Sequence, residues 1–221
     1  MSSRCTAPAG SERAHRDAAP AGVRLRGYRP EPHLGAVLHP ILGDPEIYAA
    51  GYVMHRCPTS VDDAVSLARD RFMAGQGDAD GRAGGRTASA IRLVTDSELG
   101  RAGTLVGTTS LAEANLQHKS IHLGSTLYGR RWWGTCVNPE AKLLLMTHAF
   151  EDCGYGRVKI QTDLLNTRSQ AAIAKLGARR EGVIRRDMKR EDGTFRDTVV
   201  FSVLIDEWPE VKAGLQARLR V

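Results

Sequence analysis

Arg131, Gly134 and Cys136 lie in the run Tyr128-Gly-Arg-Arg-Trp-Trp-Gly-Thr-Cys-Val-Asn-Pro-Glu140, and the chemistry open to such a run is the binding of an anion. It joins an apolar strand-like segment, Ser120 to Tyr128, to an apolar helix-like one, Ala141 to Phe150. A glycine-containing loop in that position turns several backbone N–H groups toward one point, and the N-terminus of the following helix adds its partial positive charge. Arg130 and Arg131 stand beside this cradle. Asn138 is expected to cap the helix, with Pro139 at N1 and Glu140 complementing the dipole. Cys136 so near a helix N-terminus invites an activated thiol, but filling space in a tight loop is the plainer role. Trp132 and Trp133 have a face to stack on a ligand, and a plainer use in covering the edge of the core.

The second chemical feature is His122. Strand alternation puts Ile121, Leu123, Ser125 and Leu127 on one face, and His122, Gly124, Thr126 and Tyr128 on the other. His122 is thus the middle of a polar face, with a side chain able to titrate near neutrality. An ordinary strand histidine fits the same pattern.

Positioning these groups requires a sheet and several helices. Val23 to Gly27 alternates as a first strand ending by Pro30. His33 to Leu42 reads as a short helix interrupted at His39-Pro40, and Asp44-Pro45-Glu46 as a helix start. Ser60 caps a clearer helix with Asp63 at N3 and a stripe of Val61, Ala64, Val65, Ala68 and Phe72. Gly75 to Arg86 is a polar, glycine-rich loop. Ala88–Thr95, Thr104–Leu111 and Ser120–Tyr128 read as three antiparallel strands. After the buried helix that starts near Asn138 come a strand at Val158–Thr162 and a helix capped by Asn166 and closed by Gly177. A hairpin of Arg180–Met188 and Phe195–Leu204 around Asp192-Gly193 follows, with a short helix from about Trp208. The order predicts an α+β fold with a mixed, mostly antiparallel sheet and flanking helices.

The 221 residues are 42% hydrophobic and 25% charged, so one ordinary domain, residues 22–221, is expected behind a flexible N-terminal tail over 1–21. The net charge is +6. Its basic residues are dispersed among acids, as in Arg185-Arg-Asp-Met-Lys-Arg-Glu-Asp192, which argues for a solvated surface plus an anion site and against a nucleic-acid face. Cys5, Cys57, Cys136 and Cys153 form no Cys-x-x-Cys pair, so no metal site or disulfide framework is expected, and a reduced, cytoplasmic setting follows. No apolar run is long enough to span a bilayer.

Arg-x-x-Gly-x-Cys differs only in its last residue from [Gln/Arg]-x-x-Gly-x-[Gly/Ala], the pyrophosphate loop of the GNAT N-acetyltransferases. Four ordered blocks resemble the RimJ/RimL-like branch of that superfamily. They are Leu123-Gly-Ser-Thr-Leu-Tyr128, Trp132 to Leu145 with Asn-Pro-Glu-Ala-Lys-Leu-Leu-Leu, Thr162 to Gly177 with Asn-Thr-Arg-Ser, and Arg196-Asp-Thr-Val-Val-Phe-Ser202. The resemblance covers about residues 22 to 211.

The resemblance implies acetyl-CoA as donor, a primary amine as acceptor (a protein N-terminus or a small molecule), no metal, and splayed fourth and fifth strands that admit the pantetheine. Ser125, Leu127 and Tyr128 would form the strand edge that binds it. Arg131, Trp132, Trp133, Gly134, Thr135, Cys136, Val137 and Asn138 would hold the pyrophosphate, and Asn166 the pantetheine arm. Many relatives carry a tyrosine as general acid four residues before the closing glycine, where this chain has Ile173. Ser169 is the candidate for stabilising the thioester sulfur instead. His122 stands where relatives often have a glutamate and is the candidate base, with Glu113, Asp163 and a water chain as alternatives. Direct attack within a ternary complex is the implied route. A non-catalytic acyl-CoA-binding module and a nucleic-acid-binding protein are the competing functions. A homodimer through the last strand or terminal helix is a further expectation.

Overall fold

Alternating apolar residues and turn-forming glycines give seven strands, seen in a computed structural model that describes residues 22–27, 34–49, 51–70 and 85–220. The expected tail, Tyr28, Pro30, Phe72 and residues 75–84 of the glycine-rich loop lie outside this range. The strands are β1 (Val23–Gly27), β2 (Thr87–Leu93), β3 (Leu105–Asn115), β4 (Ser120–Tyr128), β5 (Arg157–Asp163), β6 (Arg179–Lys189) and β7 (Phe195–Leu204). They form one sheet in the order β1-β2-β3-β4-β5-β7-β6. Every neighbouring pair is antiparallel except β4 and β5. That parallel pair is short. It joins Ser120, Ile121 and His122 to Arg157, Val158 and Lys159, although β4 runs on to Tyr128 and β5 to Asp163. The two strands part after His122.

Among the described residues, six α-helices flank the sheet: α1 (Leu34–Leu42), α2 (Pro45–Tyr48), α3 (Val61–Ala68), α4 (Val137–Thr147), α5 (Thr167–Lys175) and α6 (Trp208–Leu219). Side chains cap three of them as their sequences predict. Asp44 accepts from Glu46 N–H, Ser60 from Asp63 N–H and Asn166 from Ser169 N–H. Gly177, at φ +94°, closes α5, and a Cβ there would lie 2.9 Å from Val211 Cγ2. Two conditions therefore require glycine at that turn.

Three sequence expectations need correction. α1 continues through Pro40 rather than breaking there. In α3 Ala64 and Ala68 are buried, but Val61 is 43% exposed because it sits on the first turn at the rim. α4 begins at Val137 with Cys136 as N-cap, so Asn138 is inside the first turn and not the cap. Gly134 at φ +76° turns the chain early, and Glu140 N–H already bonds Cys136 O. Pro139 then falls within the first turn, where a missing N–H costs nothing.

Two hydrophobic clusters meet along α4. Leu145, Met146 and Phe150 pack with Leu123, Val158, Ile160, Phe201, Trp208 and Leu215. Val137 and Ala141, one to two turns earlier, pack with Leu38, Ile41, Ala64, Val106 and Tyr128. Phe150 and Trp208 stack with centroids 5.2 Å apart. Each such side chain, fully buried, contributes about 1.5–3 kcal/mol. α4 therefore holds the parted strands from beneath.

β3 and β4 approach closely at Gly107. A Cβ there would lie 2.3 Å from Leu127 O and 2.6 Å from Tyr128 Cδ1. Gly107→Ala is expected to destabilise the fold by about 2 kcal/mol or more, read as a lower midpoint in urea. An unchanged midpoint would show that this approach relaxes freely.

Candidate functional site

The parted strands carry an irregularity that alternation alone did not predict. Thr108 faces Leu127 and Ser110 faces Gly124, so Ser125 and Thr126 together oppose Thr109. This is a β-bulge, with Ser125 at φ +48°. It reverses the side-chain parity expected for β4. Thr126 meets Lys142 of α4 at 2.6 Å, so it shares a face with Ile121 and Leu123 rather than with His122. Ser125 Oγ accepts from Arg86 at 2.6 Å, a contact that the chain's sequence did not announce.

Around the bulge the polar groups are bonded to one another. Lys142 is 4% exposed, and its Nζ also donates to Thr109 Oγ1 at 3.4 Å. Thr109 and Thr126 hydroxyls are 2.9 Å apart. Ser110 Oγ donates to Gly124 O at 3.2 Å, and both threonine hydroxyls lie 3.5 Å from the same carbonyl. Burial alone pushes the Lys142 amine down to about 7.

The loop after β4 forms a 3-10 turn over Arg130–Trp132. Trp132 is buried and donates to Leu99 O, so it closes the core edge. Tyr128 is buried too, and its carbonyl is taken by Trp133 Nε1 at 3.0 Å. Val137 is fully buried. N–H groups of Trp132, Trp133 and Thr135 are spent on Gly129, Arg130 and Trp132 carbonyls. Those of Gly134, Cys136 and Asn138 meet no backbone acceptor among the described residues, and that of Cys136 is turned toward its own thiol. The anion cradle is therefore narrower than the full run Arg131–Asn138. Arg131 is exposed and lies over the Trp132 ring at 5.1 Å. Arg130 is held by Asp44 and Glu46. Burial raises the Cys136 thiol, the direction opposite to that of an activated thiolate. A cavity of about 670 Å³ against this loop faces Ile41, Asp44, Arg92 and Leu105, on the side away from β5.

Across the gap, Asn166 and Ser169 occupy the start of α5. Arg168 between them stacks on Trp133 at 3.4 Å and donates to Tyr52 Oη at 2.6 Å. These contacts bring the α4 loop, the α5 N-terminus and the segment after α2 side by side. Ile173 is buried in the core, so that helix position carries no proton donor.

His122 is 8% exposed, and its Nδ1 lies 3.1 Å from Glu113 Oε1. Lys159 holds the other carboxylate oxygen at 2.6 Å. The His122 hydrogen bond, burial's opposing effect notwithstanding, and the Lys159 contact hold Glu113 down to about 2. An ionised carboxylate only accepts, so in the contact with Glu113 it is Nδ1 of His122 that carries a proton. Nε2 is buried without a partner among the described residues and lies over Gly124, where a Cβ would come within 2.7 Å. Asp163 is buried in an ion pair with Arg190, and so is occupied structurally.

A family model described as an acetyltransferase (GNAT) domain matches residues 23–179. The chain belongs to the GNAT acetyltransferase family. No curated protein matches it. A solved T. thermophilus protein assigned as an acetyltransferase is 36% identical, over 90% of this chain and 94% of its own, with a TM-score of 0.72. A GCN5-related N-acetyltransferase from Brucella melitensis is 24% identical over 90% and 82%, TM-score 0.73. Mycobacterium smegmatis RimJ, solved in complex with CoA-disulfide, is 20% identical over 90% of both chains, TM-score 0.66. The last two likenesses are of fold.

GNAT acetyltransferases use acetyl-CoA. The residues present here fit such a group: two parted strands, three N–H donors at the start of α4, and a capping asparagine whose amide N–H groups remain available. Sequence reasoning missed Lys142, Arg86 and the Glu113–His122 pair. Only the lysine left a signal, as a charged residue inside an apolar helix. Cys57 and Cys136 are free thiols.

Lys142 also sets a pH dependence. Between about pH 7 and an ordinary lysine's 10.5 the unfolded chain binds the extra proton, so stability rises with pH across that window. Lys142→Met is expected to equal or exceed the parent in stability at pH 7, with its lead narrowing toward pH 10 in urea titrations. A constant difference would show that Lys142 titrates as an ordinary lysine.

Proposed function

We propose that this acetyltransferase moves an acetyl group from acetyl-CoA to a primary amine by direct attack in a ternary complex, in the manner of the RimJ/RimL-like branch. The observation that carries this reading is the parting of β4 from β5 beside the N–H donors at the start of α4. Bound acetyl-CoA would supply the acetyl group as an activated thioester. Gly134, Cys136 and Asn138 N–H groups would receive the pyrophosphate, with Arg131 and the α4 dipole adding positive charge. Ser125 and Leu127 would line the pantetheine, Asn166 would donate to it, and Ser169 would face the sulfur.

His122 accepts the amine's proton at Nε2 while Glu113 fixes the ring through Nδ1. The acceptor wall includes the segment after α2, tied to the β6–β7 turn by Arg56 N–H on Glu191 and Glu191 N–H on Met54 O. A homodimer belongs to the same reading, though along β6 and not along the last strand β7, which lies inside the sheet between β5 and β6; the edge strand β6 is exposed and carries Val183, Ile184 and Met188. No described helix is long and apolar enough to cross a membrane.

Incubation with acetyl-CoA and a panel of peptides, polyamines and aminoglycosides is expected to release thiol only when the right amine is present. His122→Gln should then lower kcat by about 10²-fold or more, and Ser169→Ala should lower it less. A rate unaffected by His122→Gln would return proton removal to water. Acetyl-CoA binding without transfer to any amine would favour the binding-module reading.

A further inference from the structure

A lysine whose amine is buried under a catalytic sheet is costly to keep, and among the described residues Lys142 has no carboxylate partner to offset that cost. Its contacts all lead to one peptide. Nζ donates to Thr126 Oγ1 at 2.6 Å and Thr109 Oγ1 at 3.4 Å. Those hydroxyls and Ser110 Oγ converge on the carbonyl of Gly124. The Gly124–Ser125 peptide is trans, so the Ser125 N–H points opposite to that carbonyl. With the carbonyl drawn toward β3, the N–H faces the open side of β4, where β5 has parted.

Ser125 needs help to hold this geometry. A non-glycine residue at φ +48° is strained by about 1 kcal/mol or more. Such a conformation persists where its surroundings over-determine it. Lys142 from beneath and Arg86 on Ser125 Oγ do so from two elements. The chain of donors from Nζ through the hydroxyls also polarises the peptide it ends on.

Resting on the acetyl-CoA reading above, we infer that Lys142 is a positioning residue for acyl transfer: through Thr126 and Thr109 it locks the β4 bulge so that the Ser125 N–H is held toward the acyl group. Its purpose is geometry at the seat of the reaction, not stability of the fold.

The test uses the full chain with Lys142→Met, which keeps the stem and removes the donor, and Thr126→Val with Thr126→Ser as its conservative partner. Hydrogen exchange in the apo protein is read over residues 123–128. Both Lys142→Met and Thr126→Val should speed exchange there by about tenfold at unchanged or higher urea midpoint, and Thr126→Ser should restore it. With the responsive amine, kcat should fall by about tenfold or more while calorimetric affinity for CoA stays within about threefold. Equal exchange and kcat in both variants would overturn the inference, as would a kcat loss matched by lost CoA affinity. If the parent itself neither binds acetyl-CoA nor transfers from it, the functional reading fails, and the exchange result still decides whether Lys142 holds the bulge.

Discussion

The bulge at Ser125 is the constraint on which the site depends. A regular β4 would continue its pairing pattern with β3 and keep strict alternation to Tyr128. The inserted residue moves Thr126 to the α4 face and leaves the Gly124–Ser125 peptide held by side chains of β3 and α4. Beyond His122 no ladder pair joins β4 to β5. A sheet that stops pairing in its middle loses backbone hydrogen bonds there, and its groups must be satisfied by something else. On the proposed reading, that something is the pantetheine arm.

Holding a sheet open requires rigid supports on both banks. On one bank α4 packs its first turn into one cluster and its later turns into the other, so it cannot shift without disturbing both. Glu140 adds a tie to the far edge of the sheet by accepting from Val23 N–H while buried; desolvation raises its pKa. On the other bank, Asp163 ends β5 and pairs with Arg190, both nearly inaccessible. Arg190 also donates to Phe195 O, which fastens the β6–β7 hairpin to the end of β5. Removing one partner of such a buried pair costs far more than the pair itself contributes. These interactions keep the opening wide rather than merely keeping the chain folded.

Most of this framework could be read from residues. Caps at Asp44, Ser60 and Asn166, the glycine at 177 and the Asp-Gly turn of the last hairpin are local chemistry, and local chemistry is visible in sequence. The succession of strands along the chain followed from apolar alternation, whereas the place of β7 inside the sheet, between β5 and β6, did not. What escaped depended on tertiary context. Asn138 has the right type for a cap, but the turn at Gly134 starts the helix two residues sooner. Alternation placed Thr126 beside His122 because it read Gly124, the residue before the bulged serine, as an ordinary strand position. The partnership of Glu113 with His122 joins β3 to β4 across a second irregularity, between Ala112 and Asn115, where Glu113 takes φ +54°. Both bulges re-aim a polar side chain at the site. Gly124 stands beside the first as a lone glycine within a strand, whereas the second has no glycine to betray it.

The absence of a tyrosine at Ile173 weighs little once these supports are in view. Amine attack on a thioester asks for a neutral nucleophile, a donor near the carbonyl oxygen and water kept away, and a backbone N–H can serve as that donor. Here Ile173 belongs to the core beneath α5, so the helix spends that position on packing. On the proposed reading, proton transfer is left to an imidazole that a carboxylate orients, and placement to a strand bent by two bulges. Of these groups only His122 and Ser169 are side chains proposed to meet the reactants. The others act by deciding where a peptide points, which is why so few chemical residues stand out in the sequence while so much of its buried polarity surrounds β4.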